Sequence, residues 1–508
     1  MDIGVITEIL NLQVLLFMAG GVLIGIGFGS IPGLNTPMAL AVVLPLTYGM
    51  GTIAAISTLL AVYCGGISGG LISAILLRMP GTAAAVVTTF DGYPMAQKGQ
   101  AMRALGLGVI SSFVGGMFSA IILMFLTPVL ADVALGFGPW EFFGATALSL
   151  SMMSTLVRGD MVKGFIACAL GMLIGTIGTD PIDGLVRFTF GQYQLAGGVK
   201  MVVMIIATFA LSEVFSSTGK SLKPIEKSSV DLGYKDFFKV FKELKGQVGN
   251  LLRSSAIGTA IGILPGLAGS TASLMAYSTA QKFVKDPEGF GEGHPSGIVA
   301  PESANNAVSG GAMIPMLALG IPGSSPVALI MGAFMVHGVQ IGPLMLTQSP
   351  EMIQTIFLAL IVANILMLIF QTGLLRAYAR VILVAKAILL PILVVFCVVG
   401  AFISNNSMFD VGLLIGFGAV AYILERNKFH LAPYLMGFVL GGYVELFYRR
   451  TVIYYESLSN AYFQFSAGSV MMTIAVLVPA FSIVNRVPAV KRWKAEKKQQ
   501  RVDRRVAK

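Results

Sequence analysis

Fourteen apolar stretches of spanning or near-spanning length succeed one another along this chain, and a bilayer leaves such stretches few options. They run at about Leu12–Ile31, Ile53–Leu77, Leu105–Leu130, Phe142–Val157, Phe165–Ile177 and Val199–Val214, then Ser254–Leu274, Ala307–Leu319, Val327–Val339, Met352–Leu374, Val381–Ile403, Val411–Leu424, Leu431–Leu446 and Val470–Ile483. Without water, every backbone N–H and C=O needs a partner within the protein, and a helix supplies one internally. Only 11% of the 508 residues are charged and 56% are hydrophobic, with a mean hydropathy of +0.83, where soluble domains carry about 25% charged residues. A water-soluble enzyme is excluded. At about 20 apolar residues per span the chain has room for roughly a dozen, so an all-α polytopic membrane protein of about 12 spanning helices is expected. Several runs are too short, or too broken by glycine and proline, for a plain span. Those read as discontinuous helices or re-entrant hairpins, tolerated at membrane depth where they are buried in protein or line a watery cavity.

The charges are segregated. Lys220 to Arg253 carries eight Lys/Arg and four Asp/Glu, and Arg486 to Lys508 carries ten and two, so the remainder of the chain sums to −2 of the net +10. Basic residues gathered in one loop and one tail fit cytoplasmic segments under the positive-inside rule. Nucleic-acid binding is disfavoured, because no aromatic residues interleave with the basic runs as a stacking platform requires. No Lys or Arg precedes Arg78, which places the N-terminus outside. The chain thus divides into a first membrane half at 1–215, a basic cytoplasmic linker at 216–253, a second membrane half with scaffold helices at 254–485 and a basic cytoplasmic tail at 486–508. Cys64, Cys168 and Cys397 stand apart in apolar surroundings, and the three histidines are scattered. No transition-metal site or disulfide framework is expected.

The two halves share a repeat. Gly25, Gly29, Pro32, Gly33 and Leu34 recur as Gly258, Gly262, Pro265, Gly266 and Leu267 at a constant offset of 233. Ser68-Gly69-Gly70 recurs as Ser309-Gly310-Gly311, and Pro80-Gly81-Thr82 as Pro322-Gly323-Ser324, at offsets of 241 and 242. One half starts outside and the other just after an inside loop, so the units are expected to be inverted. Paired, Gly/Pro-interrupted segments in inverted halves point to a secondary transporter with its site near the midplane. Glycines alone could reflect close helix packing. Packing explains less well why Pro-Gly pairs with neighbouring hydroxyl and amide residues recur in register.

The chemistry concentrates at four broken segments: 31–36, 63–82, 263–271 and 300–325. A break exposes free N–H groups at one helix end, which attract anions, and free C=O groups at the other, which attract cations. Asn35, Thr36, Ser68, Gly69, Gly70, Thr82, Asn305, Asn306, Ser309, Gly310, Ser324 and Ser325 are therefore the candidate substrate-binding residues, uncharged groups able to hold carboxylate oxygens. Pro32, Gly33, Pro265, Gly266, Ser270 and Thr271 are the candidate ion-binding residues. Asn305 and Asn306 stand out, since adjacent amides in an apolar stretch are costly without partners. Replacing either by alanine is expected to abolish uptake, whereas Cys168→Ala should do little. By contrast Glu302 reads as a helix cap, Asp91 to Lys98 as a solvated connection, and Trp140 with Glu141 as an interfacial anchor and its wet neighbour.

At these segments the sequence resembles the large membrane subunit of the tripartite tricarboxylate transporters. The likeness rests on Pro32-Gly33-Leu34, the run from Tyr63 to Gly81, Asp91 to Ala96, Ala300 to Ala307, Gly310-Gly311 and Ile321 to Ser324. Thr82 and Cys64 depart from the residues common there, an acidic residue and a Tyr-Gly pair. The resemblance implies a bacterial inner-membrane uptake system in which a periplasmic solute-binding protein delivers a carboxylate to this subunit, paired with a small four-helix membrane subunit. It also implies elevator-type transport of a citrate-like tri- or dicarboxylate, driven by a sodium or proton gradient with no other cofactor. The absence of a GxxxxGK[ST] loop agrees with transport without ATP. The competing classes are a polytopic membrane enzyme, which would need a nucleophile, metal cluster or paired carboxylates not found here, a channel, and a non-transporting scaffold subunit.

Overall fold

The structure is a computed structural model describing residues 2–156, 161–180, 182–217, 235–267, 269–284, 286–381 and 386–486. Residues 218–234 of the basic linker and 487–508 of the basic tail lie outside the described residues, and nothing described tests the cytoplasmic placement of either segment. The principal helices are α1 (Leu12–Ser30), α2 (Thr36–Val43), α3 (Thr52–Leu77), α4 (Ala101–Leu135), α5 (Pro139–Leu156), α6 (Met161–Gly175) and α7 (Met201–Ser217). The later part of the chain contributes α8 (Val248–Ile263), α9 (Gly269–Phe283), α10 (Ser296–Leu319), α11 (Ser325–Val336), α12 (Pro350–Gly373), α13 (Lys386–Ile403), α14 (Met408–Arg426), α15 (Leu431–Tyr455) and α16 (Ala467–Arg486). Among the described residues six helices are long and apolar enough to cross a membrane, and further apolar helices of 10–17 residues accompany them. The chain is a helical, multi-pass membrane protein. A short antiparallel hairpin pairs Gly178 with Arg187 and Thr179 with Val186.

Apolar runs and helices agree closely, and the disagreements have physical causes. The run expected at Ser254–Leu274 is split into α8 and α9, because Pro265 and Gly266 intervene, Gly266 at φ 84°. In the other direction α10 extends eleven residues upstream of its apolar run, through Pro301, Glu302, Asn305 and Asn306, because those polar groups find their surroundings inside the protein. Glu302 is consequently no cap; it lies well inside α10 and is 1% exposed. Asp91 is no solvated connection either. Its carboxylate is buried and accepts from the N–H groups of Gly291, Gly293 and His294 and from the Tyr277 hydroxyl, at 2.7–2.9 Å. Trp140 is buried and donates to Ser469 Oγ at 3.1 Å, while Glu141 accepts from the Gly138 N–H and the Ser466 hydroxyl.

Two close-packed helix pairs organise the centre: α1 on α3, and α8 on α10. Lipid offers helices no hydrophobic reason to associate, so association depends on intimate van der Waals packing, which small residues allow. A Cβ on Gly25 would lie 2.3 Å from the Val62 carbonyl oxygen, and one on Gly258 2.2 Å from that of Ala304. The long helices then cross over, α4 packing on α10 and α12 on α3. Ser68 Oγ donates to Gln371 Oε1 at 2.6 Å, and Gln371 Nε2 donates back to the Ser68 carbonyl at 3.2 Å, which ties α3 to α12. Outside this centre α6 and α5 pack on α15, α16 on α5, and α7 on α14.

Candidate anion-binding cavity

Each break is built by local chemistry. After α1 the sequence Ile31-Pro32-Gly33 stops the helix, and Gly33 turns the chain at φ 88°, a conformation that glycine adopts without strain. Asn35 then restarts it: extended itself, its Oδ1 accepts the Met38 N–H at 2.9 Å and caps α2, with Pro37 in the first turn. After α8 the same order repeats, with Pro265, Gly266 at φ 84°, and α9 beginning at Gly269. The α3 end has Arg78 left-handed at φ 56°, and the α10 end has Gly320 at φ 74°. Beyond them Gly81 N–H donates to the Gly70 carbonyl at 3.5 Å, and Gly323 N–H to the Ala312 carbonyl at 3.2 Å. Gly266 N–H donates to the Gly323 carbonyl at 3.1 Å, joining two of the breaks directly.

These segments surround one cavity of about 820 Å³, within the range of small-molecule sites. Of the candidate residues, Gly33, Asn35, Thr36, Thr82, Gly266, Ser270, Thr271, Asn305, Ser324 and Ser325 line it. The N-termini of α2, α9 and α11 all open onto it, through Thr36 and Pro37, Gly269 to Thr271, and Ser324 to Pro326. Unsatisfied N–H groups and the positive end of each helix dipole therefore converge on one space. Three lining side chains carry buried polar atoms without a hydrogen-bond partner, Thr82 Oγ1, Thr208 Oγ1 and Asn305 Nδ2. Ser324 Oγ, also buried, makes no well-formed hydrogen bond and stands beside the Tyr63 hydroxyl. A buried donor without a partner costs about 1–3 kcal/mol, a cost that a bound acceptor would remove. Glu213, Glu425, Lys428 and His430 also line the cavity, so its formal charges do not favour an anion. The attraction rests on helix ends and neutral donors.

The other candidates do not line the cavity. Ser68 is committed to Gln371, Gly69 abuts Ile26 and Gly29 of α1, and Gly70 lies under the Thr82 side chain. Ser309 donates to the Asn306 carbonyl at 2.5 Å, and Gly310 is pressed on Ser119 of α4. Asn306 turns away from Asn305, its Nδ2 donating to Ser112 Oγ at 2.8 Å and to the Glu302 carbonyl at 3.1 Å. Pro32 and Pro265 shape their turns from outside the lining. Tyr63 lines the cavity from the start of the expected 63–82 segment, whereas sequence reasoning missed Thr208, Glu213 and the 425–432 segment, which carry no Pro-Gly signal and reach the cavity only through packing.

A second pocket, of about 360 Å³, lies between α4, α5, α10 and α15 and includes Gly320 and Ile321 with Tyr443 and Phe447. Leu431 and Ala432 of α15 line the first cavity, so the two are separated by about 18 Å along that helix at 1.5 Å per residue. The broken segment 320–326 borders both.

The fold and site define a multi-pass helical membrane protein with a cavity assembled from broken-helix ends. The comparisons with known proteins are more specific. The pattern of the Tripartite tricarboxylate transporter TctA family matches residues 15–436, and the chain belongs to that family. Its tripartite organisation implies a partner membrane protein and a periplasmic binding protein. The chain is 34% identical over 436 residues, 85% of this chain and 86% of the other, to an uncharacterized 52.8 kDa protein in the TAR-I ttuC' 3'region of Agrobacterium vitis. It is 37% identical over 196 residues, 39% of this chain and 81% of the other, to an uncharacterized protein in the TAR-II ttuC' 3'region of the same organism. No solved structure matches it.

Proposed function

We propose that this chain is the large membrane subunit of a binding-protein-dependent system that takes up a tri- or dicarboxylate, citrate-like in size and charge, across the bacterial inner membrane on a sodium or proton gradient. The observation that carries the reading is the cavity: three helix N-termini with the unpartnered polar atoms of Thr82 and Asn305. Carboxylate oxygens satisfy N–H and O–H donors of that kind with no permanent cation in the bilayer. Thr36, Thr82, Asn305, Ser324 and Ser325 take the substrate. Carbonyls of the segments around Pro32-Gly33 and Pro265-Gly266, with Ser270 and Thr271, are the groups suited to a coupling cation.

Inverted repeats and elevator movement are part of the same proposal. Supporting them, Gly33 and Gly266 share positive φ at an offset of 233, Arg78 and Gly320 share a left-handed cap at an offset of 242, and α4 on α10 mirrors α12 on α3. Two pockets bordering one broken segment suit alternating access. In this orientation the N-terminus is periplasmic and the linker and tail are cytoplasmic, and a small four-helix membrane subunit covers part of the lipid-facing surface.

The test is uptake of labelled citrate, and of a panel of other carboxylates, into vesicles holding this subunit and its small partner, with the cognate binding protein and an ion gradient present or absent. Gradient- and binding-protein-dependent uptake of any member is the expected result. Silence across the panel would refute the transport reading.

A further inference from the structure

Glu302 is a buried carboxylate that the cavity does not use. It is 1% exposed, absent from the cavity lining, and held by hydroxyls: Thr88 Oγ1 donates to Oε1 at 2.5 Å and Ser112 Oγ donates to Oε2 at 3.1 Å. Among the described residues no cation faces it. Of the titratable groups on the elements packed against α10, Lys282 and Asp132 are exposed, Arg78 lies over the Tyr93 ring, and the others are engaged elsewhere. Asp91 and Tyr277 are bonded to each other, Arg103 pairs with Glu243 at 2.7 Å, and Arg253 stacks on Phe283 at 4.5 Å. On α3, Cys64 takes a contact from Asn364 Nδ2 at 3.8 Å and Tyr63 stands in the cavity wall. An ionised carboxylate buried without a cation is costly, and a buried carboxyl retained at that cost marks a functional site.

The partners also suit exchange of a proton. A hydroxyl can donate to an ionised oxygen or accept from a protonated one, which an arginine or lysine cannot do. Ser112 is committed, since its oxygen accepts from Asn306 Nδ2 and its hydrogen serves Oε2. Thr88 is free to reverse, so Oε1 is the oxygen that takes the proton. A sodium ion would have to displace this closed set of bonds, and neither of the two cavities described above opens onto it.

From this placement we propose that Glu302 is the coupling-proton site of the transporter, loaded and unloaded at Oε1 against Thr88. This rests on the carboxylate-uptake reading above and narrows its driving ion. Communication with the substrate is short on both sides. Asn305, whose unpartnered amide faces the cavity, is one helical turn beyond Glu302 on α10, and Thr88 directly follows the 82–86 turn whose Thr82, Ala83 and Ala84 line the cavity. The Thr88–Glu302 bond therefore ties the first-half break to the second-half helix.

Two measurements decide the proposal. Infrared pH titration of the purified full-length protein, taken as the difference between wild type and Glu302→Gln, isolates the protonated-carboxyl C=O band of Glu302. The band is expected to appear and disappear with pH, with its midpoint shifted in Thr88→Val, a variant that keeps the carboxyl. A Glu302 that stays in one form throughout overturns the proposal. In vesicles, an imposed gradient of one pH unit drives about tenfold accumulation per proton carried. Glu302→Gln is expected to abolish that accumulation and to retain substrate exchange across equal solutions. Normal pH-driven accumulation by Glu302→Gln, or accumulation by the wild type on sodium alone, overturns it. Absence of exchange in the wild type would instead sink the transport reading, and the infrared titration still decides whether Glu302 carries a proton.

Discussion

Replacing Asn305 by alanine separates binding from folding, because its side-chain N–H2 is buried at the cavity without a protein partner. Nothing in the fold loses a hydrogen bond from Nδ2 when it is removed. A bound carboxylate does lose one, and a hydrogen bond to a charged group is worth about 1.5–3 kcal/mol. At about 1.4 kcal/mol per tenfold, carboxylate affinity is expected to fall by about 10- to 150-fold, while the melting temperature stays within a degree or two, as the small net change in the fold implies. The assay is calorimetric titration of the purified protein with carboxylate, paired with a thermal melt of the same sample. Unchanged affinity, or a large fall in melting temperature with proportionate loss of binding, would refute the assignment of Asn305 as a substrate contact. Asn306→Ala provides the contrast. Its Nδ2 already donates to Ser112 and to the Glu302 carbonyl, so its loss is expected to lower stability first.

Other expectations follow from specific contacts. Ser68→Ala leaves Gln371 Oε1 buried without its 2.6 Å donor and should cost about 1–3 kcal/mol of stability, seen in a melt, with carboxylate affinity unchanged. Gly25→Ala places a methyl group 2.3 Å from the Val62 carbonyl oxygen, whereas Gly27→Ala meets nothing within 4 Å; size-exclusion profiles should show the first variant poorly folded and the second normal. Asp180, outside the helices, is held below the usual carboxylate range by the Ile182 N–H, against its own desolvation, and then by Arg449, the Asp183 N–H and Arg187. A lowered folded-state value means stability present above the unfolded carboxylate range and lost as pH falls through the folded value. Hydrogen exchange in the 178–187 hairpin should therefore quicken on acidification below the carboxylate range, and this acid response should be lost in Asp180→Asn.

Where helices start and stop was largely legible in the residues. Pro32-Gly33 and Pro265-Gly266 end α1 and α8 at the expected places, and Thr52–Leu77 and Pro350–Gly373 differ from their apolar runs by a residue or two, because chain termination by proline and glycine is a local property. The polarity of the breaks was equally local, so the residue types of the cavity, hydroxyls and amides beside helix ends, could be listed in advance. Which of them face one another could not. Asn305 and Asn306 are neighbours in sequence, yet at 3.6 residues per turn they point about 100° apart. One reaches the cavity and the other Ser112 of α4.

Only helix packing decided that Ser68 would meet Gln371, where α12 lies on α3, that Trp140 would be buried against Ser469, where α16 lies on α5, and that Asp91 would hold the 291–294 loop. The same packing enclosed Glu302 away from any cation and brought Glu213 and the 425–432 segment to the cavity. Periodicity and propensity describe one helix at a time. Each of these contacts spans more than a hundred residues of sequence, and their partners were chosen by the shapes of glycine-rich helix faces that become surfaces only once the helices are assembled.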